Sequence, residues 1–146
     1  MSLNVCMQAQ GLSAVLRQGL QALGANSHRV SMTPYSQAVC SVDLDVALRQ
    51  HYPNAPRWDY GVQWRRGKSE QIAWVEVHPA TSGEVAAFLR KLEWLKGWLQ
   101  QGAAQCQALP ASFHWVATDV GVHIDSARRR RLNAAGIRMP RGRLEL

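Results

Sequence analysis

The sequence predicts a single α/β domain: a mixed sheet built around an antiparallel hairpin, with helices on both faces. Three observations lead there. Residues 57–65 alternate, with Trp58, Tyr60, Val62 and Trp64 at one parity and Asp59, Gly61, Gln63 and Arg65 at the other, which is the period of a strand. A second run, residues 71–78, follows a short polar turn, so the two read as a hairpin. Val85, Phe88, Leu89, Leu92, Leu95 and Leu99 then recur at helical spacing. Helices interleaved with strands in this way imply a mixed sheet.

Taken in order, residues 11–23 place Leu12, Val15, Leu16, Leu20 and Leu23 at helical intervals, and Gly24 ends that helix. Residues 25–40 have no clear period and read as a loop or a weak strand. Ser41 is a candidate cap for a short helix over residues 42–50, with Asp43 and Asp45 in its first turn, where the helix dipole favours carboxylates. The run Pro53-Asn54-Ala55-Pro56 breaks it. The hairpin follows, its second strand ended by Pro79. Thr81 and Glu84 match a capping box for the helix that runs to about Gln101. Residues 102–110 connect to a third, largely apolar strand over 113–118, expected to be buried on both faces. Residues 126–135 form a basic helix closed by Gly136, and residues 137–139 and 144–146 read as short terminal strands.

With 146 residues, the chain fits one domain, an N-terminal helical segment of about 1–40 and a core of about 41–146. A hydrophobic fraction of 47% is that of a globular protein and excludes wholesale disorder. No stretch approaches the roughly 18 apolar residues of a membrane span. Residues 1–6 show no basic segment ahead of an apolar one, so the cytoplasm is the expected location. Cys6, Cys40 and Cys106 are odd in number and widely spaced, without a CxxC, and read as reduced thiols, two of them buried. The formal charge is +7, and residues 128–146 concentrate it: Arg128, Arg129, Arg130, Arg131, Arg138, Arg141 and Arg143 stand against Glu145 alone. Phosphate is the commonest target of such a patch, which makes nucleic acid the expected partner. The plainer reading is a solvated face that keeps the protein soluble.

The sharpest chemical feature is Asp59 on the first hairpin strand and Glu76-Val77-His78 on the second. Residues two apart on a strand project to one face, so Glu76 and His78 point together. Asp59 on the neighbouring strand then comes within metal-bridging reach. Two carboxylates and a main-chain carbonyl, here that of Val77, are hard oxygen ligands of the kind Mg²⁺ takes. Glu76 stands out, because an acid inside an apolar strand is unusual unless paired or functional.

Over residues 41–137 this arrangement resembles the PD-(D/E)xK nuclease superfamily, the restriction-endonuclease-like fold. The elements run helix, strand with Asp59, strand with Glu76-Val77-His78, helix, strand, helix. The resemblance implies that Asp59 and Glu76 bind Mg²⁺, that a residue at position 78 assists the attacking water, and that the domain hydrolyses nucleic-acid phosphodiesters. Asp43 or Asp45 would match the acid that some members carry on the first helix. Two departures are visible. Trp58 precedes Asp59 where proline is usual, and His78 stands where lysine is expected. An unperturbed imidazole, with a pKa of about 6.5, is mostly neutral where lysine is charged. His78 is therefore a general base, a metal ligand, or the mark of a domain that has lost catalysis and binds nucleic acid or a protein.

Each residue also has a structural use. Asp59 can pair with Arg57 or Arg65, and His78 can close a strand ahead of Pro79. The other histidines, His28, His51, His114 and His123, share no metal-ligand spacing. Six tryptophans are many for this length; core packing is their expected use, with base stacking or a homodimer interface as alternatives.

Overall fold

A short helix, α1 (Leu3–Ala9), leads through a 3₁₀ turn (Ser13–Val15) into the two-residue strand β1 (Arg17–Gln18). A 3₁₀ segment (Gln21–Arg29) and β2 (Val30–Ser31) follow, then β3 (Ser36–Asp43) and α2 (Leu44–Ala47). The chain continues through β4 (Tyr60–Arg66), β5 (Ser69–Thr81), α3 (Val85–Gly102), β6 (Ala111–His123), α4 (Ser126–Ala134) and β7 (Leu144–Glu145). These elements come from a computed structural model that describes residues 3–102 and 104–146.

Five strands form one sheet in the order β1-β3-β4-β5-β6. β3, β4 and β5 are antiparallel neighbours, and α3 carries the chain over to β6, which lies parallel to β5. The sheet is thus mixed, as expected. The hairpin closes at the Arg66–Ser69 pair, leaving Gly67-Lys68 as a two-residue loop. Gly67 has a φ of +60°, which the tight turn demands and which only glycine adopts without strain.

Two apolar cores flank the sheet. The larger gathers Leu3 and Met7 of α1, Leu44 of α2, the α3 stripe Val85, Phe88, Leu92, Leu95 and Leu99, and Leu132 of α4. All four α-helices therefore contribute to one side. The smaller core, with Val62, Val75, Val116 and Leu146, is covered by the 3₁₀ segment through Leu23 and by the β2–β7 ribbon through Val30. Helices thus stand on both faces, but on the second face the helix is 3₁₀ and is accompanied by extended chain.

The N-terminal helix expected over residues 11–23 does not form. Its leucines serve both cores, Leu12 and Leu16 one side and Leu20 and Leu23 the other. Gly11 and Gly19, with φ of +72° and +55°, turn the chain around the sheet edge between them. A helical period was satisfied by two separate surfaces. Ser41 likewise lies inside β3, and its hydroxyl accepts from the Ala22 amide. Asp43 caps α2 instead, its Oδ1 accepting from the Val46 N–H at 3.0 Å.

Further differences follow from pairing. β5 runs through Pro79 to Thr81, because the ladder to β6 shifts register there and relieves the missing N–H. Thr81 makes no side-chain cap, and Glu84 is engaged elsewhere. Residues 137–139 form no strand; Arg141 makes a single parallel bridge to Val116. The α3 stripe and the basic helix α4 stand where the periodicity placed them. Trp58, Trp74, Trp98 and Trp115 are buried, so tryptophan serves the core.

The reading of three reduced thiols is overturned: Cys6 and Cys106 form a disulfide, and Cys40 keeps a free thiol. The bonded pair is 100 residues apart and buried in the helix-side core, so no local spacing could announce it. Disulfides persist chiefly in oxidising compartments, which runs against the cytoplasmic expectation. Among the described residues no helix is long and apolar enough to cross a membrane. Closing so long a loop restricts the unfolded chain, so reduction should lower the free energy of unfolding by about 2–4 kcal/mol. Urea titrations of oxidised and fully reduced, refolded protein measure this; coincident curves would show that the thiols are not paired in solution.

Candidate active site

The hairpin register decides the site. Tyr60 pairs with Val75 and Gly61 with Trp74, which sets Asp59, one residue ahead of β4, across from Glu76. The two residues clasp each other reciprocally. The Asp59 N–H donates to Glu76 Oε2 at 3.0 Å, and the Val77 N–H donates to Asp59 Oδ2 at 3.0 Å. The Asp59 carbonyl accepts from the Leu44 N–H at 2.8 Å, so α2 holds the same corner. Gly61 is required beside it: a Cβ there would stand 2.6 Å from Cζ3 of the buried Trp74 ring.

Trp58 escapes the strand's alternation. It precedes β4 and turns into the helix-side core, whereas Tyr60, Val62 and Trp64 pack on the opposite side. Its ring lies 5.5 Å from that of Phe88, which stacks on Trp115 at 4.4 Å. Trp115 is also the β6 neighbour of Glu76. The Glu76 carboxylate is therefore set among aromatic rings, and it is fully buried.

What makes that burial tolerable comes from α3. Lys91, three residues after Phe88, reaches down so that Nζ donates to Glu76 Oε1 and lies 3.5 Å from Asp59 Oδ1. Asp59 is 24% exposed and Lys91 20%, against 0% for Glu76, so the cluster opens to solvent on its Asp59–Lys91 side. Burial, and then the Asp59 charge, push the Glu76 carboxyl up to about 8, against the opposing pull of Lys91. Burial works against the Lys91 ammonium, but Glu76 and Asp59 outweigh it and raise its pKa. Both directions mean that the cluster holds its protons tightly.

The remaining expected residues fall into place around this group. Val77 contributes its N–H to Asp59. His78 shares the strand face of Glu76 but is held elsewhere: its Nε2 lies 2.6 Å from Glu84 Oε2, and its carbonyl accepts from the Trp115 indole at 3.0 Å. The cation beside the carboxylates is therefore Lys91, not residue 78. Asp43 has its carboxyl raised by burial first, with the Asp45 and Asp59 charges adding to it. Asp45 instead pairs with Arg57 and Arg49. Among the described residues no three His, Cys, Asp or Glu side chains form a ready-made metal cage.

The C-terminal arginines divide into two groups. Arg128 pairs with Asp125 at 2.6 Å, and Arg129 donates to the Ile124 carbonyl. No described carboxylate pairs with Arg130, Arg131, Arg138, Arg141 or Arg143, and all five are exposed.

Lys91 was absent from the sequence reading because it sits inside the α3 stripe, among residues read only as packing. No local pattern marks it, since its approach to Glu76 comes from the packing of α3 across β5. Comparison of the chain with family models, with characterised proteins and with solved structures finds no match.

Two measurements test this geometry. Lys91→Met leaves Glu76 without its cation and should cost about 3 kcal/mol or more, whereas adding Glu76→Leu should recover part of the loss. Urea unfolding of the wild type and both variants decides it; a double variant no better than the single would mean that the pair is not coupled. His114, whose Nε2 lies 2.7 Å from Ser112 Oγ, has its pKa lowered to about 4 by burial and then by Arg138. The unfolded ring, with a pKa of about 6.5, then binds a proton that the native ring refuses, so stability falls as pH drops from 6.5 toward 4. Between pH 7 and pH 5 the wild type should lose about 2 kcal/mol more than His114→Gln; equal losses would place the ring in solvent.

Proposed function

We propose that this domain is a divergent, metal-dependent phosphodiesterase of the PD-(D/E)xK kind, acting on nucleic acid. One observation carries the reading: Asp59, Glu76 and Lys91, from the hairpin and the helix that follows it, converge on one point on the helix-covered side of the sheet. The missing lysine of the resemblance is then supplied from α3. The order of strands and helix around the carboxylates supports a restriction-endonuclease-like arrangement.

The donor set suits Mg²⁺. Two carboxylates lie side by side with Asp59 facing solvent, and a cation, Lys91, already bridges them. Asp59 and Glu76 would hold the ion, with the Val77 main chain adjacent. An Mg²⁺ ion held there would supply polarisation of a water and compensation of phosphoryl charge. The chain's own groups do the rest. The reciprocal hydrogen bonds orient both carboxylates, and an incoming cation would displace the Lys91 ammonium from between them. The Lys91 ammonium offers positive charge beside the carboxylates, where an attacking water or a phosphate oxygen would sit. The aromatic wall of Trp58, Phe88 and Trp115 excludes solvent from the Glu76 side. Arg128, Arg129, Arg130, Arg131, Arg141 and Arg143 supply phosphate contacts, the unpaired members carrying most of the attraction.

A second reading rests on the same ion pair. With Lys91 satisfying both carboxylates, the cluster is a structural pair in a domain that binds nucleic acid without cutting it.

Labelled DNA and RNA, offered with Mg²⁺ or Mn²⁺, separate the two. Cleavage should require the metal, stop with chelator, and fall by about 10²-fold or more in Asp59→Asn, Glu76→Gln and Lys91→Gln. His78→Ala should stay within a few-fold of the wild type. Binding to Glu76→Gln should persist, and its salt dependence should flatten when Arg130, Arg131, Arg141 and Arg143 become Gln. Binding without cleavage under every condition selects the second reading. Cleavage that survives Glu76→Gln would sink the site.

A further inference from the structure

The exposed side chain that packing explains least lies far from the carboxylates. Tyr35 is 81% exposed, the most exposed large hydrophobic residue among those described. It is not on a loose loop. The Ser36 N–H donates to the Thr33 carbonyl at 3.0 Å, closing a turn with Pro34 and Tyr35 at its centre. Pro34 fixes the first central position, and the Thr33 N–H is tied to the carbonyl of Leu146. The turn's backbone is fixed and presents the ring to water, an arrangement that the core does not require.

Cations stand on the neighbouring strand and its turn, with Arg65 lining the same cavity as Tyr35. Ser36 pairs with Arg66 and Gln37 with Arg65 across the β3–β4 ladder, and Lys68 sits in the adjoining hairpin loop. Both arginines are oriented by neutral acceptors: Arg65 donates twice to Gln37 Oε1, and Arg66 donates to Thr33 Oγ1. Glu70 lies across from Arg65, yet its carboxylate accepts from Gln63. The guanidinium charges are therefore positioned but unneutralised. Between ring and cations lies an open cavity of about 410 Å³, lined by Pro34, Tyr35, Ser36, Gln37, Arg65 and Gly67.

We propose that this hairpin tip binds single-stranded nucleic acid, Tyr35 stacking on a base while Arg65, Arg66 and Lys68 hold the flanking phosphates. A free ring face suits any unpaired base, and planar guanidinium groups match phosphate oxygens. An acidic polypeptide would use the cations and leave the ring idle. The tip and Asp59 lie at opposite ends of β4, about 20 Å apart at strand rise, so the two regions grip different nucleotides. The surface does not depend on hydrolysis at Asp59 and Glu76.

Anisotropy titration of the full chain with a labelled single strand of about 16 nucleotides, at low salt, tests it. Tyr35→Ala should weaken binding by about ten-fold, within the range for one stacked base, while Tyr35→Phe stays near wild type. Arg65→Gln with Arg66→Gln should reduce the logarithmic salt slope by about 1.4. Duplex of the same sequence and poly-glutamate should compete poorly. All four residues are at the surface, and unchanged circular dichroism melts confirm that each variant is folded. Equal affinity for wild type and Tyr35→Ala, or efficient displacement by poly-glutamate, would overturn the proposal. So would the absence of any binding by wild type. If only the C-terminal arginine variants lose affinity, the tip proposal fails while phosphate binding near α4 stands. The titrations are run with chelator present, where no metal-dependent hydrolysis takes place, which keeps failure at the tip distinct from failure of the catalytic reading.

Discussion

A fully buried carboxylate organises this molecule. Glu76 lies on the fourth strand of a five-stranded sheet, between Asp59 on one neighbour and Trp115 on the other, with α3 above. An ionised carboxylate in such surroundings is stable only if its oxygens are bonded and its charge is met. One oxygen accepts from the Asp59 main chain and the other from Lys91. These partners fix the end of the hairpin and the rotation of α3 about its axis. The packing nearby is equally tight: Gly61 must lack a side chain because the buried Trp74 ring occupies the space a Cβ would take.

The same constraint explains why the cluster looks chemical as well as structural. Burial raises the carboxyl of Glu76, while the paired acids raise the ammonium of Lys91. Groups whose ionisation is pushed in this way, at a point partly open to water, recur where proteins perform acid–base and metal chemistry. His78, only two residues away, has been drawn into a separate pair with Glu84 and holds the start of the following helix to the sheet. Two neighbouring side chains thus serve different ends, Lys91 facing the carboxylates and His78 locking the crossover.

Charge is distributed with a matching logic. The buried Glu76 is compensated by Lys91, and at the surface Asp45 pairs with Arg57 and Arg49 and Asp125 with Arg128. The net charge of +7 is then left outside, on the C-terminal arginines and at the β4–β5 tip. Because those groups contribute little to folding, they are free to answer to an anionic partner. The disulfide adds rigidity of another kind, since Cys6 and Cys106 tie the first helix to the segment after α3 and close the core above the sheet.

The local patterns of the chain were sufficient for the hairpin, for the α3 stripe, for the basic helix ahead of Gly136 and for the suspicion attached to Glu76. Each depends on residues a few positions apart, where period and turn chemistry act directly. The N-terminal third was misread for a physical reason: Leu12 through Leu23 keep a helical spacing while feeding two cores on opposite sides of the sheet, and β3 carries no alternation strong enough to stand out from residues 25–40. Two of the three residues of the candidate site were legible, because Asp59 and Glu76 face each other through the hairpin register. Lys91 was not, because a lysine in an apolar stripe acquires meaning only once α3 is laid across β5. The Cys6–Cys106 bond and the meeting of Tyr35 with Arg65 and Arg66 are of the same kind. Contacts between residues far apart in sequence are set by the packing of whole elements, and only the tertiary structure decides them.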